Sequence, residues 1–300
     1  MLDVVIIGGG PAGMSAALVA GRGKQRVLLL DEEKPRNAVT KASHAFLTRD
    51  GITPADFREK GRRDLLNYPN ISIENDRVIA IDRLSDDTFE LTTQSGATLQ
   101  SKRIVLATGL KETLPEVKAI EDYYGTSIFS CPFCDGWEMK DRSLILILES
   151  AQAFHMISLI NNWTDDLVLA TNGRYFLDSE QKETLKLNNI RVFEEKISAL
   201  EGTNGQLGRV TFENGETLIR TGGFCATNLD NKLPFIEQLG IAVNDFGYIT
   251  TDMMGHTNIP GIYAAGEITG PSQLIVSASQ GHMAGIGIIA DSSDAQFRRN

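Results

Sequence analysis

The chain has 300 residues, of which 42% are hydrophobic and 23% charged, so it can bury a large core. Its formal net charge of -10 excludes a general nucleic-acid binder, because attraction to phosphate requires a basic face. No apolar run approaches the roughly 18–20 residues that span a bilayer, and the N-terminus lacks a basic leader and a cleavage site. These features predict a cytoplasmic protein with no nucleic-acid or membrane partner.

The first thirty residues predict a βαβ unit, with a strand over 3–8, a helix over 11–22 and a second strand over 26–31. A further helix is predicted over 53–68, where Thr53 is a candidate N-cap. The basic residues of this helix are interpreted as a solvated face; they are Lys60, Arg62 and Arg63. Strands are predicted at 71–81, 88–93, 99–107, 143–148 and 166–171, a group of short strands at 190–225, and helices at 151–162 and 274–290. This order predicts an α/β fold.

A glycine motif joins the first strand to the first helix. Gly8 permits a tight turn, Gly10 lets the backbone approach a pyrophosphate, and Gly13 lets the helix pack closely on the strand. The N-terminus of the helix attracts negative charge. Asp31 ends the second strand, about where an acidic residue is expected to hydrogen-bond a ribose. Together these residues predict a dinucleotide site.

A cysteine pair lies near the middle of the chain. Cys131 and Cys134 are separated by two residues, a spacing that suits an easily reduced disulfide or half of a zinc site. Cys225 and the four histidines are scattered without zinc-ligand spacing, so we expect redox chemistry and no metal. Asp135 directly follows the pair and is a candidate general acid for a thiolate leaving group.

Four motifs occur in order along the chain: GGGPAG (8–13), ATG (107–109), CPFCDG (131–136) and GIYAAGE (261–267). This set resembles the low-molecular-weight thioredoxin reductase family, and the resemblance implies an FAD-dependent disulfide oxidoreductase that forms a homodimer. It implies that Cys134 faces the flavin, that Cys131 exchanges with the substrate and that Asp135 is the acid. The FAD contacts that it implies are Gly8, Gly10, Pro11, Ala12, Gly13, Asp31, Thr108, Gly109, Gly266, Glu267 and Gln273. Glu267 stands where the family usually has aspartate.

The same resemblance implies two dinucleotide-binding, Rossmann-like three-layer domains. The FAD domain is expected at 1–111 and 242–300. The central domain, expected at 112–241, would be inserted into it, carry the cysteine pair and resemble an NAD(P)H-binding domain.

The glycine loop that would receive NADPH is missing from this central domain. Leu148, Glu149 and Ser150 stand in its place, and Arg174 is alone where the family has a basic cluster. Side chains here obstruct the approach of a phosphate, and two like charges about 4 Å apart repel by roughly 1 kcal/mol even in water. NADPH binding is therefore doubtful, although a divergent site that still binds it stays open as an alternative.

The sequence therefore leaves more than one electron donor open. A ferredoxin-type donor would reduce the flavin, and the cysteine pair would then reduce a thioredoxin-like protein or a small disulfide. Alternatively, a small dithiol would be oxidised with oxygen as the final acceptor; two stretches, 35–51 and 161–173, resemble gliotoxin-type oxidases of this kind. A flavin-binding redox sensor without turnover is a third reading, which the intact cysteine pair disfavours.

Overall fold

The computed structural model describes residues 1–231 and 233–298, so residues 232, 299 and 300 of the expected domains lie outside the described part. The chain divides into two compact units. The first unit comprises Met1–Ala38, Ala45–Lys111 and Asp230–Asn300, and the second comprises Val39–His44 and Glu112–Leu229. Each unit has its own parallel sheet and its own core.

The strands are β1 (Val4–Ile7), β2 (Val27–Leu30), β3 (Ile71–Glu74), β4 (Val78–Arg83), β5 (Phe89–Thr93), β6 (Thr98–Ser101), β7 (Ile104–Leu106), β8 (Lys111–Thr113), β9 (Ile128–Phe129), β10 (Leu144–Ile147), β11 (Leu167–Ala170), β12 (Arg191–Phe193), β13 (Ile197–Thr203), β14 (Gln206–Phe212), β15 (Thr217–Ile219), β16 (Gly222–Cys225), β17 (Asn228–Asp230) and β18 (Ile262–Ala264). The α-helices are α1 (Pro11–Arg22), α2 (Pro54–Leu65), α3 (Pro132–Asp135), α4 (His155–Ile160), α5 (Ser179–Leu187), α6 (Pro234–Gln238) and α7 (Leu274–Phe297). Short 3₁₀ helices cover Arg36–Val39, Ile120–Asp122, Ala151–Ala153 and Glu267–Thr269.

The first unit has three layers. Its parallel sheet has the order β18-β7-β1-β2-β3, and the antiparallel sheet β4-β5-β6 packs on one face. Helices α1 and α7 cover the other face. Because both faces are covered, β1 and β2 are buried along their whole length, which explains their continuous apolar runs.

Small residues let α7 lie directly on α1. A Cβ atom at Gly281 would clash with the carbonyl oxygen of Ala12, and one at Gly285 would lie 2.6 Å from the Cβ of Val19. Glycines at these points therefore let the two backbones approach closely. The predicted closing helix is confirmed, and it continues past residue 290 to Phe297.

The second unit repeats this architecture. Its parallel sheet has the order β12-β11-β10-β16-β9, with β13-β14-β15 on one face and α4 and α5 on the other. The predicted α/β fold with two Rossmann-like units is thereby confirmed.

The boundaries of the units differ from those expected from the sequence. Residues 230–241, expected in the central domain, belong to the first unit, because Phe235, Ile236 and Ile241 pack beneath β4 and β5. Residues 39–44 belong to the second unit instead of the first. Strands β8 and β17, which contain two of the four points where the chain passes from one unit to the other, pair with each other.

The search for bilayer-crossing segments covered residues 1–231 and 233–298. None of the helices there has the length and apolar character that crossing would require.

Candidate functional site

The dinucleotide motif of the first unit lies against the end of β7. Gly8 has a left-handed φ of 109°, and a Cβ atom there would clash with the carbonyl oxygen of Ala107. A Cβ atom at Gly13 would in turn clash with the carbonyl oxygen of Gly8. Glycine at both positions therefore lets the turn after β1 pack onto the ATG motif that ends β7.

Gly10 has a different environment. It is the N-cap residue of α1, has an ordinary φ of -77°, and a Cβ atom there would meet nothing within 4 Å. No side chain caps this helix end, and Pro11 occupies the first turn. Open space in front of an uncapped helix N-terminus fits the pyrophosphate of a dinucleotide. The sequence-predicted cradle is thus compatible with FAD.

Asp31 lies beside the same turn and pairs with Arg62, a residue interpreted from the sequence as part of a solvated helix face. A Cβ atom at Gly9 would lie 2.5 Å from Asp31 Oδ2, and Arg62 Nη2 lies 3.1 Å from the same oxygen. Arg62 also pairs with Glu33 at 2.7 Å. The interpretation of Arg62 as part of a solvated face was therefore wrong, and its guanidinium orients the predicted ribose ligand.

Glu267 is paired as well. Its Oε1 lies 2.6 Å from Arg36 Nη2, and a Cβ atom at Gly109 would lie 3.9 Å from its Oε2. The neighbouring Gly266 N–H donates to Gln280 Oε1 at 2.9 Å. The second and third motifs therefore meet at one carboxylate, which Arg36 holds. Sequence reasoning missed Arg36 and Gln280, since both contacts join residues distant in the chain.

The remaining predicted FAD contacts lie around this cradle. A Cβ atom at Gly266 would lie 2.8 Å from the Cβ of Ala12, so α1 and the third motif are in close contact. Thr108 is exposed at the end of β7. Gln273 is the half-buried N-cap residue of α7. All eleven predicted residues thus lie in the first unit, and their assignment to FAD stays a prediction.

The cysteine pair of the second unit forms a disulfide between Cys131 and Cys134, at the start of α3. The N–H groups of Cys134 and Asp135 both donate to the carbonyl oxygen of Cys131, at 3.1 and 3.2 Å, and close the turn. Gly136 must be small, because a Cβ atom there would lie 2.7 Å from the Trp163 ring. The CPFCDG motif is therefore one compact turn.

Asp135 is buried next to this disulfide, with 8% of its surface exposed. Burial, followed by the charge of Glu138, raises the pKa of Asp135 to about 7, while His44 acts in the opposite direction. His44 Nε2 lies 3.5 Å from Glu138 Oε1. Near neutral pH the Asp135 carboxyl can therefore both donate and accept a proton. Sequence reasoning found Asp135 and missed His44 and Glu138.

Asp135→Asn should stabilise the disulfide-bonded protein increasingly as the pH rises. The folded pKa of about 7 lies above the ordinary value of 3.8, so the folded chain binds more protons than the unfolded chain between those values. The wild-type free energy of unfolding must then fall as pH rises through this range. One pKa unit corresponds to about 1.4 kcal/mol, so the advantage of the variant should reach up to about 4 kcal/mol at pH 8.

Urea denaturation at pH 5 and pH 8 measures this difference. The exposed Asp165, replaced by asparagine, is the matched control and should give no pH-dependent gain. An Asp135→Asn advantage that is equal at both pH values would contradict the raised pKa.

The carboxyl end of β10 carries the segment that replaces the expected NADPH loop. Leu148 is completely buried, and Glu149 Oε1 accepts a hydrogen bond of 2.7 Å from Asn172 Nδ2. Asn172 follows β11 in a left-handed conformation (φ 51°), and its Oδ1 accepts from the N–H of Ile197 at 3.0 Å. The carboxylate is therefore held in place at the ends of two neighbouring parallel strands.

No group of three or more His, Cys, Asp and Glu residues within 1–231 and 233–298 is arranged to hold a metal ion. The third cysteine, Cys225, is buried in β16, and burial raises the pKa of its thiol, with added effects of Glu112 and Glu149. Such a thiol is unreactive, which leaves Cys131 and Cys134 as the accessible sulfur pair.

The chain is similar to known proteins over nearly its whole length. Residues 2–281 match the family model "Pyridine nucleotide-disulphide oxidoreductase". The crystal structure of a putative thioredoxin reductase from Bacillus anthracis is 41% identical, with a TM-score of 0.95, and the match covers 99% of this chain and 100% of that one. A probable thioredoxin reductase of Arthroderma benhamiae is 27% identical over 296 residues, which cover 88% of this chain and 73% of the relative.

A third relative comes from Clostridium pasteurianum and is described as a 34.2 kDa protein in the rubredoxin operon. It is 27% identical over 297 residues, which cover 95% of both chains. The family predicted from the four motifs is confirmed by these matches. The chain belongs to the pyridine nucleotide-disulphide oxidoreductase family and is an FAD-dependent disulfide oxidoreductase of the thioredoxin reductase-like type.

Proposed function

We propose that this enzyme passes electrons between FAD and a partner disulfide or dithiol through Cys131 and Cys134, with a donor other than NADPH. The observation that carries the proposal is the Cys131–Cys134 disulfide beside a buried acid whose pKa is about 7. Proton transfer at neutral pH is what thiol–disulfide exchange requires from its acid. The supported partners are a thioredoxin-like protein or a small disulfide, and membership of the family supports a homodimer.

The residues that would hold FAD are those of the cradle in the first unit. The α1 N-terminus at Gly10 would face the pyrophosphate, and Asp31, oriented by Arg62, would accept hydrogen bonds from the ribose. Glu267, held by Arg36, would accept from the ribityl chain. When bound, FAD supplies a two-electron redox centre.

The exchange itself is carried by the second unit. With both cysteines reduced, the Cys131 thiolate attacks a sulfur of the substrate disulfide, and a mixed disulfide forms as the substrate S–S bond breaks. Asp135 gives its proton to the departing sulfur. The Cys134 thiolate then attacks Cys131 Sγ, which re-forms the protein disulfide and releases the second substrate thiolate. Two electrons pass from the cysteine pair to the substrate, and each step is reversible.

Glu149 supports the exclusion of NADPH from its usual place. Ligands of open parallel sheets bind beyond the carboxyl ends of the strands, and Glu149 is held there by Asn172. A phosphate that approached would meet a fixed negative charge in place of free backbone N–H groups. A divergent NADPH site, the alternative that the sequence leaves open, would have to lie at another position.

A small one-electron carrier protein is the first candidate donor, and the name of one relative supports it. The Clostridium pasteurianum relative is described by its place in a rubredoxin operon, and rubredoxin is such a carrier. Two reduced carriers would be needed for each disulfide, because the exchange consumes two electrons.

Oxidation of small dithiols is the second candidate, and the surface around the disulfide favours it. Phe133 and Trp137 are 60% and 66% exposed, and they lie on either side of Cys134 and Asp135 in the chain. Such a surface suits an apolar organic dithiol, with oxygen as the final electron acceptor.

NADPH should fail to bleach the flavin of the wild-type holoprotein rapidly under anaerobic conditions at micromolar concentration. Glu149→Gln should raise NADPH affinity at least about fivefold, because the glutamine keeps the acceptor for Asn172 but removes a repulsion worth about 1 kcal/mol or more. Titration followed by absorbance at the flavin maximum measures both. Glu216→Gln, an exposed change in the β14–β15 hairpin, is the matched charge control.

Rapid stoichiometric bleaching of the wild type would refute the exclusion of NADPH. Hydrogen peroxide release after dithiols are added in air would favour the oxidase. Turnover driven by a reduced ferredoxin or rubredoxin, without peroxide, would favour the protein donor.

A further inference from the structure

The segment Val39–His44 is packed on the second unit, although the sequence places it between β2 and α2 of the first. Its anchor is Gly125, whose φ is 77° and where a Cβ atom would clash with the carbonyl oxygen of Val39. Ser43 is buried as well. This packing places His44, the last residue of the segment, beside the turn that carries the disulfide.

His44 meets that turn at Glu138. The His44 Nε2 to Glu138 Oε1 distance is 3.5 Å, and both side chains are only partly exposed. Gly136 continues the helical backbone of α3 with φ -63° and ψ -36°, so Asp135 and Glu138 are neighbours at i, i+3 spacing. A chain of neighbouring groups therefore runs from His44 through Glu138 to Asp135, which directly follows Cys134.

We propose that His44 and Glu138 form a charge pair that controls when Asp135 carries its proton, and thereby sets the pH range of thiol–disulfide exchange. This inference rests on the proposed function. His44 and Glu138 act through Asp135 and are positioning residues; neither is required to touch the substrate.

The two residues act on Asp135 with opposite signs. Glu138 is an anion that favours the protonated carboxyl, and protonated His44 is a cation that favours the carboxylate; the pKa of Asp135 responds accordingly. These are the charged groups that act on Asp135 from the turn after α3 and from segment 39–44. The thiolates of Cys131 and Cys134 add negative charge once the disulfide is reduced.

The test uses the full-length holoprotein, reduced and held anaerobically, with 2-hydroxyethyl disulfide as an uncharged probe. The rate at which the probe oxidises the Cys131–Cys134 pair, through a mixed disulfide on Cys131, is followed from pH 5.5 to 9 by acid quench, alkylation of the remaining thiols and intact-mass measurement. Asp135→Asn identifies the limb of the profile that depends on Asp135. The infrared band of the protonated Asp135 carboxyl, identified by its loss in the same variant, reports its protonation without any turnover.

His44→Gln should raise two midpoints by at least about half a pH unit: that of the Asp135-dependent limb of the rate profile and that of the infrared titration of Asp135. Glu138→Gln should move both down by a similar amount, and the double variant should lie near the wild type. The matched controls are His155→Gln at the start of α4 and Glu183→Gln in α5, both exposed, and neither should shift the midpoint. A structural role alone would lower rates without moving the midpoints in opposite directions.

Midpoints that stay within about 0.2 pH unit of the wild type, or that move in the same direction in both variants, would overturn the charge pair. Wild-type protein whose cysteine pair the probe does not oxidise at any pH would instead overturn the proposed function. The two failures are therefore distinguishable.

Discussion

Cys131→Ser should lower the rate of thiol–disulfide exchange at least about a thousandfold, while the protein stays folded and keeps its flavin. A serine hydroxyl is not ionised at neutral pH and forms no disulfide, so the step that opens the substrate S–S bond is lost. The cysteine pair lies in the second unit and the FAD cradle in the first, which is why flavin retention is expected. The measurements are the exchange rate and the ratio of flavin to protein absorbance.

Cys134→Ser should behave differently, and the contrast tests the assigned roles. Cys131 can still attack the substrate, but no second thiol releases it, so a mixed disulfide should accumulate and be visible by intact mass. Cys225→Ala is the matched control, because this thiol is buried in β16 and should leave the exchange unaffected. If the mixed disulfide accumulated in Cys131→Ser instead, the roles of the two cysteines would be reversed.

Gly13→Ala should lower the stability of the fold, whereas Gly10→Ala should lower FAD affinity, although both change a glycine of the same motif. At Gly13 a Cβ atom would clash with the carbonyl oxygen of Gly8, so the free energy of unfolding should fall by about 3 kcal/mol. At Gly10 the added methyl group meets no protein atom and φ is -77°, so the fold should be unaffected within about 0.5 kcal/mol. The methyl group would instead occupy the space expected for the pyrophosphate.

FAD affinity should therefore fall at least about tenfold in Gly10→Ala, a loss of about 1.4 kcal/mol. Flavin fluorescence after dilution measures the affinity, and urea denaturation of the flavin-free proteins measures the stability. Gly208→Ala in β14 is the matched control, because a Cβ atom there would meet only an ordinary contact, 3.6 Å from the carbonyl oxygen of Glu201. A Gly10→Ala protein with unchanged FAD affinity would mean that the pyrophosphate does not approach Gly10.

Sequence signals that act over a few residues predicted the start of α2 and the N-terminal βαβ unit well. Helix α2 begins where the sequence places it, since Thr53 Oγ1 accepts from the N–H of Asp56 and Pro54 occupies the first turn. The βαβ unit at the N-terminus follows from apolar runs and glycines that act within a few residues of one another. The helix predicted over 151–162 is shorter, because the structure has a 3₁₀ turn over Ala151–Ala153 and a helix only from His155 to Ile160.

The domain boundary was harder to predict, because it depends on where distant residues pack. Residues 230–241 carry no signal that separates them from the central domain, yet the apolar side chains of α6 fill the core beneath β4 and β5. Segment 39–44 has no apolar periodicity, and its place on the second unit depends on Gly125, which lies far away in the chain.

The sequence alone predicts the chemistry of this protein: a glycine turn for a dinucleotide, a Cys-x-x-Cys pair with its acid, and a carboxylate at Glu149 where a phosphate loop was expected. These features depend on residue type and short spacing, which are properties of the chain. The partners of the charged groups follow only from the fold: Arg62 for Asp31, Arg36 for Glu267, Asn172 for Glu149, and His44 with Glu138 near Asp135. Most of these contacts join residues far apart in sequence, and they exist only because packing brings separate strand ends and loops to the same place.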